Sequence, residues 1–131
     1  MVAFGKKEGF SKRERLRKQR DFERVFKLGK KVWIGALALM IYAQNSLGYR
    51  RLGVVVSKKI RKAYQRNKVK RWIREVFRRN KDMFPESSDI IIIPHPRLVE
   101  KSYAELLSEF KKNLLRRENS FHGKKADSTA N

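Results

Sequence analysis

The chain has 131 residues, enough for one domain with a modest core and too few for two comfortable ones. Its formal net charge of +21, from 34 Lys and Arg against 13 Asp and Glu, asks for a polyanionic partner, nucleic acid first and an anionic membrane surface second. The absence of Cys excludes disulfides and thiolate metal sites.

In chain order, residues 1–12 are polar and basic and residues 118–131 (ENSFHGKKADSTAN) lack periodicity, so both ends are read as flexible tails around a domain at 13–117. The N-terminus keeps its charges where a signal peptide needs an apolar segment, and a cytoplasmic setting is expected. Arg20 to Leu28 predicts a short helix with Phe22, Val25 and Phe26 on one side and Gly29 as a left-handed cap. Val32 to Ala43 reads as one strand, with Leu37, Leu39 and Ile41 on one face and Ala36, Ala38, Met40 and Tyr42 on the other. The uncharged run there is too short for a membrane span, which needs roughly 20 apolar residues. Turn chemistry at Asn45-Ser46-Leu47-Gly48 and the β-branched run Leu52 to Val56 predict an antiparallel hairpin with that strand.

A basic helix follows, from near Arg61 to near Lys81. Pro85-Glu86-Ser87-Ser88 then breaks the chain before Asp89 to Ile93, whose branched apolar residues predict a central strand covered on both sides. Pro94 and Pro96 end it. Ser102 and Glu105 match a capping box that opens a last helix, with Tyr103, Leu106, Leu107, Phe110 and Leu114 at helical spacing. The expected order is α-β-β-α-β-α, a single-domain α+β sandwich without internal repeats.

The basic helix carries the chemistry. From Ser57 to Lys81 there are twelve Lys or Arg and one acidic residue, Glu75, yet Val69, Trp72, Ile73, Val76 and Phe77 keep the spacing of a packed face. Arg66, Asn67, Lys70, Arg71 and Arg74 recur at intervals that let guanidinium forks and an ammonium meet several phosphates along one backbone path. A solvated face held by Arg71–Glu75 and Glu75–Arg79 pairs is the plainer alternative. Such pairs yield only about 0.2–0.5 kcal/mol each, and one carboxylate cannot balance so many cations.

Lys58-Lys59-Ile60 followed by Arg66-Asn67-Lys68-Val69-Lys70-Arg71-Trp72-Ile73-Arg74-Glu75 resembles the arginine-asparagine-arginine segment of the ribonuclease P protein family of bacteria. The likeness extends to Arg20-Asp21-Phe22-x-x-Val25-Phe26-x-x-Gly29, to Leu52-Gly53-Val54-Val55-Val56-Ser57-Lys58-Lys59 and to the Asp89–Ile93 strand, all in family order. Two positions depart from it: Arg61, where many members carry Gly, and Tyr64, where a smaller aliphatic residue is common. Both are expected to alter packing at the helix start.

The resemblance implies a ribosomal-protein-like fold with a left-handed βαβ crossover. It also implies an accessory role, one protein per RNA subunit, in which a catalytic RNA removes the 5′ leader of precursor tRNA with Mg²⁺ held mainly by RNA. No residue of this chain is then catalytic. Lys58, Lys59, Arg66, Asn67, Lys70, Arg71 and Arg74 would bind the RNA subunit. By periodicity Phe22 and Phe26 are core residues; the resemblance makes them part of a cleft for the single-stranded leader, floored by Ala36, Ala38, Met40 and Tyr42 and joined by Val55 and Ser57.

Other residues offer less. His95 and His122 have no second ligand at metal-binding spacing. Trp72 shares its helical direction with Val69 and Val76 and is assigned to the core, whereas Trp33 beside a basic pair is left open. A ribosomal protein or RNA chaperone would explain the charge equally well; the joint presence of Phe22, Phe26 and the Arg66–Arg74 motif speaks for the first family. A protein-only nuclease would need clustered acidic metal ligands, and the carboxylates here are scattered.

Overall fold

In the computed structural model, residues 9–115 are described. Strands β1 (Lys30–Ile34), β2 (Ala38–Gln44), β3 (Arg51–Val54) and β4 (Ser88–Pro94) form one sheet in the order β1-β2-β4-β3. Helices α1 (Gln19–Leu28), α2 (Ala63–Arg79) and α3 (Tyr103–Phe110, prolonged by a π turn over Lys111–Leu115) complete an α+β fold. The order is α-β-β-β-α-β-α, one strand more than expected.

The extra strand comes from the run read as a single element. Gly35, at φ +56°, folds it into a hairpin in which the Leu37 N–H donates to the Ile34 carbonyl at 3.0 Å and Trp33 lies opposite Leu39. A side chain on Gly35 would also strike the Glu109 carboxylate of α3. Nor are β2 and β3 neighbours: β4 stands between them, antiparallel to β2 and parallel to β3. With nearly all of its residues buried, β4 takes an interior place, as its branched apolar sequence demands. The parallel pair β3 and β4 is joined through α2.

The two faces of the sheet are covered differently. On one, α2 places Val69, Ile73, Val76 and Phe77, and α3 places Leu106 and Phe110, against Val32, Met40, Leu52, Ile90 and Ile92. The α3 capping box forms as expected, with Ser102 Oγ accepting from the Glu105 N–H and Glu105 Oε1 accepting from the Ser102 N–H. On the other face, α1 and the segment before it seat Val25 and Leu16 over Ile41 and Ile91.

Gly29 closes α1 in extended conformation, φ −77° and ψ 160°, and not as a left-handed cap. Glycine is needed there for closeness: a Cβ would stand 2.5 Å from the Val25 carbonyl oxygen and 2.7 Å from Ile41 Cγ2. The expected flexible ends fall largely at residues 1–8 and 116–131, outside the described residues. Within the expected N-terminal segment, Phe10 meets Phe77 edge to face at 5.7 Å between centroids. The following residues run beside β3, where the Leu16 N–H donates to the Leu52 carbonyl at 2.9 Å.

Asp89 fixes α1 to the sheet. Its buried carboxylate is bonded by Arg24 from α1, by Arg51 Nε and Nη2 from β3 at 2.7 and 2.8 Å, and by Asn45 Nδ2 at 2.9 Å. Burial alone would raise its pKa, but the Arg51 and Asn45 hydrogen bonds, with the charges of Arg51 and Arg24, hold it below the usual aspartate value. Among the described residues no helix is long and apolar enough to cross a membrane.

Candidate nucleic-acid interface

Because Val69, Ile73, Val76 and Phe77 hold one side of α2 in the core, the opposite side is fixed outward. Asn67, Lys70, Arg71, Arg74 and Arg78 line an open groove there with Phe10 as a wall, enclosing about 340 Å³. Glu75 is committed to Arg78 at 2.6 Å and to Arg79 at 2.7 Å, not to Arg71. Among the described residues no carboxylate pairs with Arg66, Lys70, Arg71 or Arg74. Partial desolvation, together with the charge of Arg15, lowers the pKa of Arg74. An anion in the groove would relieve that repulsion.

Arg15 was not singled out in the sequence. Its guanidinium lies 4.9 Å from the Phe10 ring centroid, which sets it beside the groove. Arg66, expected to face RNA, also serves its own chain. Nη1 donates to the carbonyls of Ile60 at 2.8 Å and Arg61 at 2.9 Å, bracing the loop that presents Lys58 and Lys59. Those two lysines are exposed, and the Lys59 N–H donates to Ser57 Oγ at 2.9 Å.

The opposite sheet face is only half covered. Phe22 lies over Gly53, where a Cβ would come 2.6 Å from its ring, and Val25 is fully buried. Arg24 reaches toward the Gln44 and Asp89 end, donating to the Gln44 carbonyl at 3.0 Å. Phe26, about 200° further round the helix at about 100° per residue, therefore turns to the other end of the sheet, and it is 46% exposed. There the strand register aligns Trp33 with Leu39 and Leu39 with Ile93, and Val55 follows β3 on the same side. Leu39, Val55 and Ile93 are half-buried and Trp33 is 64% exposed.

This corrects the expected floor. Met40 is buried beneath α2 and α3, and Tyr42 packs on that same core, so neither shares a surface with Phe22. Ala38 belongs to the same core, and Ala36 lies in the hairpin turn. The alternation holds from Ala38 to Ala43, whereas Leu37 falls in the turn and joins the core beneath α2 and α3; which set met α1 was inverted, because only the register with β1 and β4 settles it. Val55 does pack on the same small core as Phe22, and Ser57 follows it in sequence. Leu39, Ile93 and Trp33 replace the residues lost.

Among the described residues no three His, Cys, Asp or Glu side chains gather to hold a metal ion. Asp89, the most buried carboxylate, is saturated by cations and an amide. These residues do not fit a protein-held Mg²⁺. His95 Nδ1 accepts from the Arg97 N–H at 3.0 Å, a local cap, and His122 lies outside the described residues.

The family described as ribonuclease P matches residues 10–118. The ribonuclease P protein component of Thermotoga maritima is 48% identical over 94 residues, covering 72% of this chain and 80% of that protein. A solved structure of the Thermotoga maritima protein superposes with a TM-score of 0.70 at 40% identity, covering 79% of this chain and 96% of the other. The Staphylococcus aureus RNase P protein gives 0.71 at 30% identity, covering 80% and 94%.

Proposed function

The chain belongs to the ribonuclease P protein family, components of a tRNA-processing ribonuclease that works with RNA, and from that premise we propose that its two sheet faces divide the work between two RNAs. The α2 groove, with Lys58 and Lys59, binds the catalytic RNA subunit. The half-covered face, with Phe22, Phe26, Trp33, Leu39, Val55, Ser57 and Ile93, receives the unpaired 5′ leader of precursor tRNA. The observation that supports this most is that Lys70, Arg71 and Arg74, without a carboxylate partner among the described residues, line the α2 side of the sheet, while the half-open floor of Phe22, Phe26, Trp33, Leu39, Val55 and Ile93 lies on the other.

The chemistry suits each role. Phosphates of a folded RNA are met by charge and release counterions on contact. Single-stranded nucleotides present π faces, and stacking on an aromatic side chain contributes about 1–3 kcal/mol per base. Cleavage is then the work of the RNA subunit, with Mg²⁺ held by RNA and substrate, one protein serving each RNA. The left-handed sense of the β3-α2-β4 crossover belongs to the same reading.

Reconstitution tests it. The protein alone leaves precursor tRNA intact, and adding the matching RNA subunit at low Mg²⁺ yields mature 5′ ends. Robust cleavage by RNA-free protein would overturn the accessory role.

A further inference from the structure

Tyr64 has no structural task that the fold explains. It stands in the first turn of α2 and is 65% exposed, so its departure from the small aliphatic residue common at this position does not alter core packing. At about 100° per residue, it lies about 20° from Arg71 and about 60° from Asn67 around the helix axis, on the stripe that lines the groove.

Its surroundings select the partner. Between Ser57 and Arg74 the sequence holds nine Lys or Arg and no carboxylate. The cation best placed to cover the ring, Lys68 at i+4, is instead 5.1 Å from the Trp72 ring centroid and reaches toward the Val99 carbonyl. Among the described residues no other ring or cation contacts Tyr64. An uncovered aromatic face inside a strongly positive field repels basic surfaces and draws polyanions that carry π faces of their own.

We propose that Tyr64 stacks on an unpaired nucleobase of the RNA that docks on α2, adding a contact to bases where its neighbours contact phosphates. This rests on the reading of α2 as an RNA-docking surface. Arg66 braces the loop just before Tyr64, so the ring is presented from a fixed first turn. A base stack differs from phosphate contacts in a measurable way: it strengthens binding without releasing counterions.

The test is equilibrium binding of wild type, Tyr64→Ala, Tyr64→Leu, Tyr64→Phe and Arg71→Ala across a salt series, with the catalytic RNA subunit and leader-bearing precursor tRNA titrated separately. Tyr64→Ala and Tyr64→Leu are expected to weaken binding about five- to 150-fold, the range of one lost stack. Their log K against log salt slope stays that of wild type, and Tyr64→Phe binds as wild type does. Arg71→Ala instead flattens the slope by about 0.7–0.9. The RNA that shows the Tyr64 effect is the source of the base.

Tyr64→Leu binding both RNAs as wild type does, while Arg71→Ala is weakened, would overturn the stack and leave the docking surface standing. If Arg71→Ala and Tyr64→Ala are both without effect, the docking surface falls and the stack with it. Folding does not cloud the result, since Ala at an exposed helical position is the better helix former.

Discussion

The sheet is sealed on one face and half open on the other. Beneath α2 and α3 the strands present Val32, Met40, Leu52, Ile90 and Ile92 to a closed core, and the proposed docking surface on that side is the outer face of α2. Beneath α1 the closed core shrinks to Leu16, Val25, Ile41 and Ile91, and the strand ends beyond it stay accessible. A ten-residue helix is about 15 Å long and cannot roof a four-stranded sheet. Partial coverage is thus built into the length of α1, and it leaves sheet residues accessible as the proposed leader floor.

The largest break in this comparison is expected at Asp89, which holds α1 on its half of the sheet. Asp89→Asn leaves Arg24 and Arg51 without their shared carboxylate, and disrupting a buried ionic cluster costs about 3–5 kcal/mol. Thermal or denaturant unfolding measures it. The native pKa is depressed, so this stabilisation is present above the unfolded aspartate value and is lost as pH falls through the lower native one. Wild type should therefore lose stability in acid more steeply than Asp89→Asn, and parallel acid profiles would show that the carboxylate is not what pins α1.

Sharper separation comes from paired variants on the two faces. Lys70, Arg71 and Arg74 changed together to Ala should reduce the salt slope for the RNA subunit by about 2–3, with no preference for substrates that carry a leader. Trp33→Ala should weaken leader-bearing precursor by about 1–3 kcal/mol, spare mature tRNA, and leave the slope for the RNA subunit unchanged. Equal losses by Trp33→Ala for precursor and mature tRNA would mean that the open face is not a leader site.

Much of this was legible in the sequence, and what escaped was set by pairing. The helices, the buried β4 and the α3 capping box follow from local patterns, as does the outward set on α2, because a helix has one packed side and Val69, Ile73, Val76 and Phe77 declare it. A strand with apolar residues on both sides declares neither. Leu39 and Met40 are equivalent by period, and only the insertion of β4 between β2 and β3, with the turn at Gly35, decides which of them meets α1. Arg15 was hidden for a different reason: its place beside Arg74 depends on Phe10 docking against Phe77, a contact distant in sequence.

Arg66 offers the finest division, because its charge and its geometry do different things. Its charge is proposed to act with the basic face of α2, whereas one nitrogen, Nη1, donates to both the Ile60 and Arg61 carbonyls. Arg66→Lys keeps the first and loses the second, since the lysine nitrogen sits about one bond nearer the backbone than Nη1 and falls short of both carbonyls. Arg66→Ala loses both. The two variants should be destabilised alike, by about 1 kcal/mol for partly exposed hydrogen bonds, and only Arg66→Ala should flatten the salt slope for the RNA subunit. Arg66→Lys as stable as wild type would make the bracing idle and return Arg66 wholly to the docking surface; matching slopes for all three proteins would place its charge outside the interface and leave bracing as its one role.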